Sequence, residues 1–332
     1  MHALILAPFS ARCLKRLRER VDVTYESWLD TNVLQDPDEL GARLHREGVD
    51  ALVVEADFVF EELFEAAPGL RFVGVCRNAL NHVDIERATA HGVAVVHTPG
   101  RNTNAVAEMT LGLMIALSRR IVPAHALVSG GGWRDPAVGY RRLRGREIAQ
   151  SVIGIIGFGQ IGRAAGRLCG AFGATVLAND PLVPDSAMRT AGVEPLDLDG
   201  LLARADFVSV HVPDNDGTHH LVDGAFVGRM QSSAYLVNTS GGAVVDPAAL
   251  ADALDRGVIA GAALDVFEGH PLPASSPLMT ARNLIMTPHI GGATEETIER
   301  HSAMITDEIE RFLDGRELLH CVNPAYATHR ES

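Results

Sequence analysis

At 332 residues, with 47% hydrophobic and 21% charged side chains, the chain has the composition of a globular protein with a sizeable core and the length of about two domains. Lys and Arg number 29 against 42 Asp and Glu, and a net charge of −13 argues against a phosphate-backbone partner, so no nucleic acid is expected. The most apolar run, AVAEMTLGLMIAL, is broken by Glu108 and Thr110 and falls short of the roughly 20 residues of a membrane span, so no membrane partner is expected. MHALILAPFS lacks a signal-peptide pattern, and Cys13, Cys76, Cys169 and Cys321 are scattered with no C-x-x-C pair, which points to reduced thiols in a cytoplasmic protein.

In chain order, HALILAP reads as a strand, ARCLKRLRER as a helix and VDVTYES as a strand. DPDELGARLHREG opens a helix with Asp36 as N-cap, Pro37 at the first helical position and Glu39 closing a capping box. DALVVE, RFVGVC and VAVVHTP are further apolar strands, separated by helices FEELFEAA and VDIERATAHG. Strands alternating with helices in this way predict a parallel sheet covered on both faces. A helix over about 104–119 is apolar nearly all round and is expected to be buried between layers or against another subunit. Residues 127–150 read as loop. A second alternating series follows, with strands VIGIIG, TVLAND, FVSVHVP, YLVNT, GAALDV and LIMTPH, and a closing helix over about 294–313. The fold class is therefore α/β, with two doubly wound parallel-sheet domains of Rossmann-like or flavodoxin-like type in series.

Gly157, Gly159 and Gly162 form G-x-G-x-x-G directly after the first strand of the second series. The next strand ends at Asp180, eighteen residues beyond Gly162. Such glycines allow a tight turn and close approach of a pyrophosphate, which the following helix N-terminus stabilises. An acid at the end of the second strand accepts hydrogen bonds from an adenosine ribose and repels a 2′-phosphate, so the cofactor predicted is NAD. The later strand tips, which should face that cofactor, present His211 to Asp214, Asn238 to Gly242, Leu264 to Pro273 and Thr287 to Thr294. His219 and His220 are adjacent, so they are not expected to share a face, and no carboxylate spacing supports a metal site.

These motifs appear together as AVAEMTLGLM, IGIIGFGQIG with NDP, HVP, NTSGGAVVD, AALDVFE and TPHIGGAT. In that order, and over nearly the whole chain, they resemble the D-isomer-specific 2-hydroxyacid dehydrogenases. The resemblance implies a discontinuous substrate domain, 1–98 plus 288–332, an NAD-binding domain over 99–287 and a cleft between the two. It also implies a homodimer formed through the cofactor domain. NAD would be held by Gly157, Gly159, Gln160, Ile161, Gly162, Asp180, Val212, Pro213, Thr218, Thr239, Ser240, Asp265 and Gly292. The activity implied is hydride transfer between NAD(H) and a small 2-hydroxy or 2-oxo acid.

Family chemistry uses a histidine as acid–base group, a glutamate that holds it cationic and an arginine that grips the substrate carboxylate. The histidine matches His289. The glutamate position is His270, in GHPLP, and the arginine position is Gly241, directly after Asn238-Thr239-Ser240. Arg77, in CRNALNHVD, stands near the loop that supplies substrate contacts, with Asn78 and Ala79 beside it; Arg101 and Arg134 are weaker candidates for the missing grip. The resemblance implies an arginine near this position in phosphoglycerate-type members, so an acid at Glu55 argues mildly against a phosphorylated substrate. The departures at 241 and 270 leave a second reading, a non-catalytic NAD(H)-binding homologue acting as a sensor or interaction module.

Overall fold

A computed structural model describes residues 1–329. The chain divides into two compact units, one formed by Met1–Arg101 with the described residues from Thr294 onward, the other by Asn102–Ala293.

The first unit contains β1 (His2–Ile5), β2 (Asp22–Tyr25), β3 (Ala51–Val54), β4 (Phe72–Val75) and β5 (Ala94–His97), all parallel in the order β2-β1-β3-β4-β5. β3 and β4 are buried along their whole length, because helices cover both faces of the sheet. Alternation of side chains splits each strand between two cores. Leu4, Leu52, Val73 and Val95 enter one; Ile5, Val53, Phe72 and Val96 enter the other, where Ile305 and Ile309 of the helix Glu295–Leu313 join them.

The second unit contains β6 (Val152–Ile156), β7 (Thr175–Asn179), β8 (Glu194–Pro195), β9 (Phe207–Val210), β10 (Tyr235–Asn238), β11 (Gly261–Leu264) and β12 (Leu284–Met286). These seven parallel strands run β12-β11-β10-β9-β6-β7-β8, so the winding direction reverses between β6 and β9. A ligand crevice opens at the carboxyl ends of strands beside such a reversal. β8, only two residues long, is too short to leave a hydrophobic pattern in the sequence.

The helix Thr103–Ser118 is not buried all round. It packs Ala107, Leu111 and Met114 against the second unit's core while Glu108 and Gly112 stay exposed. The expected loop over 127–150 is also partly helical: Ile121–Ser129 begins before it and Val138–Arg142 lies within it. Arg120, in the left-handed region at φ 52°, turns the chain between the helices by 63°, and Pro123 is tolerated in the first turn that follows.

The expected boundaries shift by a few residues. Residues 288–293 pack with the second unit because the Asp265 carboxylate holds them there, and Arg101 stays in the first through its ion pair with Glu55. Residues 330–332 of the expected substrate segment lie outside the described residues.

Histidines held neutral by burial tie stability to pH, His211, pulled to about 4, among them. Burial pulls His82 down to about 4, helped by the nearby Arg77 charge, and both of its ring nitrogens are buried without a partner. Burial likewise pulls His301 to about 4. His301 Nε2 meets the Pro8 carbonyl at 2.7 Å and so must donate, which leaves Nδ1 to accept from Arg101 at 2.8 Å in a neutral ring. A histidine kept neutral in the folded state, with an unfolded pKa near 6.5, contributes stability above that value and loses it as pH falls toward 4. Denaturant unfolding between pH 7 and pH 4 should therefore show a loss on the order of a few kcal/mol. His82→Leu, which removes the two unpaired nitrogens, should flatten that slope; an unchanged slope would contradict the assignment.

Candidate functional site

The Gly157 turn after β6 has φ 88°, and a Cβ there would fall 2.8 Å from the His211 carbonyl carbon. A Cβ on Gly162 would meet the Gly157 oxygen at 2.1 Å, so helix and turn touch through backbone. Gly159 precedes the helix Gln160–Ala171, which has no side-chain cap, and the space a Cβ would take there is open. The first-turn N–H groups of that helix can thus face an anion. Asp180, at the end of β7, accepts from the Phe158 N–H at 2.7 Å and the Leu182 N–H at 2.9 Å. A carboxylate offers about four acceptor sites, so ribose hydroxyls can still be received. Beside it lies a groove of about 630 Å³ lined by Asp180, Leu182, Val183, Pro195 and Leu196, large enough for an adenosine. Glycine turn, uncapped helix, acid and groove together fit a dinucleotide.

Other expected cofactor residues hold the strand tips in place. Gln160 is exposed and accepts from Thr103; Ile161 is half-buried. The Thr218 hydroxyl donates to the Pro213 carbonyl at 2.5 Å and accepts from the Asn215 N–H, folding the loop after β9; Val212 packs beside Gly157. Thr239 is buried and shares a 2.9 Å hydrogen bond with Thr110. The Ser240 N–H and hydroxyl both donate to Asn238 Oδ1, and Asn238 Nδ2 donates to the Gly241 carbonyl, so a buried asparagine closes the turn. Gly292 lies against Asn102.

Asp265 is 1% exposed. Its Oδ1 accepts from the Thr287 hydroxyl at 2.6 Å and the Ile290 N–H at 2.9 Å, and its Oδ2 accepts from the Gly291 N–H at 2.7 Å. The Asp265 carbonyl also accepts from the His289 N–H at 2.8 Å. The turn 287–291 is thus gathered around one carboxylate, and His289 sits in it at φ 57° with an exposed side chain. Its ring centroid lies 5.1 Å from that of His270, so the two rings are neighbours. The Glu268 carboxylate lies 3.4 Å from His220 Nε2.

Gly241 has an ordinary extended φ of −113°, so its backbone does not demand glycine. Space does: a Cβ there would stand 2.8 Å from Asp214 Cβ and 3.2 Å from the Asp214 nitrogen. A Cβ on Gly242 would overlap the Phe267 carbonyl oxygen at 1.8 Å. Asp214 escaped the sequence reading because nothing in HVPD shows that it closes over residue 241.

In the first unit, Arg77 follows β4 with its side chain half-buried; burial lowers its guanidinium pKa against the opposing attraction of Glu55, and its carbonyl accepts from the Thr98 N–H at 3.1 Å. Asn78 and Ala79 beside it are exposed. Glu55 is not a free acid: it pairs with Arg101 at 2.7 Å and accepts from the Trp28 indole, so its charge carries no argument against a phosphorylated substrate. Arg101 is held by Glu55 and His301, and Arg134 is exposed in a loop. The two expected faces of His219 and His220 are also corrected. With His220 at φ 49°, the rings stack at 4.0 Å, and Glu268, far away in sequence, comes beside them.

Residues 111–291 match the family model described as D-isomer specific 2-hydroxyacid dehydrogenase, NAD binding domain. The chain is 40% identical over 268 residues to a glyoxylate reductase of Thermofilum pendens, covering 80% of this chain and 79% of that one. It is 36% identical over 276 residues to a D-3-phosphoglycerate dehydrogenase of Methanocaldococcus jannaschii, covering 82% of this chain and 52% of the relative. A solved structure of a Thermus thermophilus protein superposes with a TM-score of 0.85 at 33% identity, over 97% of this chain and 100% of that one.

The collision at position 241 makes the missing arginine hard to put back. Gly241→Arg alone should lower the thermal midpoint, overpacking of this kind costing about 1–3 kcal/mol. Gly241→Arg with Asp214→Gly should recover most of that loss. A single variant as stable as the parent in thermal unfolding would contradict the packing argument.

Proposed function

Because the chain belongs to the D-isomer specific 2-hydroxyacid dehydrogenase family, we propose that it moves a hydride between NAD(H) and a small 2-hydroxy or 2-oxo acid, with His289 as acid–base group and no arginine grip from position 241. The observation that carries the proposal is the His289 turn: a histidine presented on an Asp265-pinned loop, in the same unit as the dinucleotide fold and against the ring of His270. NAD(H), when bound, supplies or accepts the hydride. In reduction His289 gives its proton to the substrate oxygen; in oxidation it takes the hydroxyl proton.

His270 changes the conditions for that step. A carboxylate in its place would favour a cationic His289, whereas a neutral imidazole adds no such attraction and a cationic one opposes it.

Steady-state NADH oxidation against a panel of 2-oxo acids, phosphorylated ones included, tests the assignment. His289→Ala should remove turnover by at least about 100-fold while NADH still binds. His270→Glu should move the alkaline limb of kcat/KM for reduction up by about 1 pH unit or more. Turnover unchanged in His289→Ala would overturn the proposal.

A homodimer formed through the second unit is part of the same reading. Ile121, Val122, Val128 and Trp133 expose apolar side chains on and after the bent helix, which supports it. Light scattering should give twice the 35.5 kDa chain mass, and Val122→Asp with Val128→Asp should shift it to the monomer; a monomeric parent would contradict it.

A further inference from the structure

Among the described residues, one cluster outside the proposed acid–base site brings metal-ligating side chains together. His219, His220 and Glu268 each direct one ligand atom to a common region, and these atoms all lie within 4.8 Å of one another. His220 Nε2 and Glu268 Oε2 are 3.4 Å apart. Two ligands on a tetrahedral ion, each at about 2.0–2.1 Å, stand about 3.3 Å apart, so this pair already has the required spacing. His219 is exposed, and its ligand atom already lies within 4.8 Å of the other two.

The local backbone makes this possible. Successive side chains of an extended segment point to opposite sides, but His220 in the left-handed region swings its ring onto that of His219. The His220 N–H donates to the Ala243 carbonyl at 2.8 Å, which anchors the β9 loop on the Gly241–Ala243 turn. Glu268 arrives from the other side, following Phe267, whose carbonyl packs on Gly242. The cluster thus spans two strand-tip loops and the turn between them.

We propose that His219, His220 and Glu268 form a binding site for a divalent transition-metal ion, zinc, nickel or cobalt, that bridges the loop after β9 to the loop after β11. Two imidazoles and one carboxylate suit these borderline ions and not calcium or magnesium, which require mostly oxygen ligands. Three protein ligands leave a coordination position for water or for an oxygen of a small acid. The inference does not depend on the acid–base role of His289.

The test is titration of the chelator-treated full chain with zinc or cobalt, followed by calorimetry and, for cobalt, by its visible spectrum. One ion per chain should bind, with no response to magnesium. His220→Ala and Glu268→Gln should each weaken binding by at least about tenfold. His125→Ala, an exposed histidine elsewhere, should leave it unchanged. Circular dichroism of the metal-free variants separates lost ligands from lost folding, since a substitution that removes only a ligand leaves the thermal midpoint in place. No binding by the parent chain, equal binding by His220→Ala, or binding lost instead in His270→Ala would overturn the proposal.

Discussion

A single buried carboxylate organises the proposed site. Asp265 is enclosed at the end of β11, and an ionised group there is stable only when its oxygens are satisfied. Three donors of the turn 287–291 satisfy them, and in doing so they set where His289 stands and how it faces. Charge-assisted hydrogen bonds of this kind are each worth about 1.5–3 kcal/mol, enough to hold a non-glycine residue at a positive φ. The sequence reading assigns Asp265 to the cofactor; the structure gives its oxygens this internal task, with about one acceptor site left over.

In the proposed reading His289 is the acid–base group and its two usual partners are replaced. Where the arginine would stand, Gly241 is closed over by Asp214; where the glutamate would stand, His270 lies ring against ring with His289. Loss of one donor to a developing oxyanion costs about 3–4 kcal/mol, a factor of 10² to 10³ in rate. Enzymatic accelerations commonly start at about 10⁶, so that loss slows such a catalyst without abolishing it. The second unit has a glycine turn, an uncapped helix and Asp180, which in the proposed reading hold the cofactor independently of what grips the acid.

Much of this was legible in the sequence because it is local. Apolar strands buried on both faces, Asp36 capping its helix, and glycines packed between β6 and the helix after it all leave signals within a few residues. What escaped is contact between distant segments. The Glu55–Arg101 pair, the closure of Asp214 over Gly241 and the approach of Glu268 to His220 join residues that no spacing rule connects. The stacking of His219 on His220 escaped for another reason: a left-handed histidine is a choice of backbone, and a residue type that only tolerates that conformation does not announce it. The bend at Arg120 is of the same kind.

The central claim is that this chain still transfers a hydride although residues 241 and 270 have left the family pattern. NADH carrying deuterium at its transferable C4 position, incubated with an accepted 2-oxo acid, tests it directly. The account predicts deuterium at C2 of the 2-hydroxy acid formed, and at least about 100-fold less of it formed by His289→Ala. NADH that binds with no deuterium reaching any 2-oxo acid would contradict the account and leave a cofactor-binding protein without turnover.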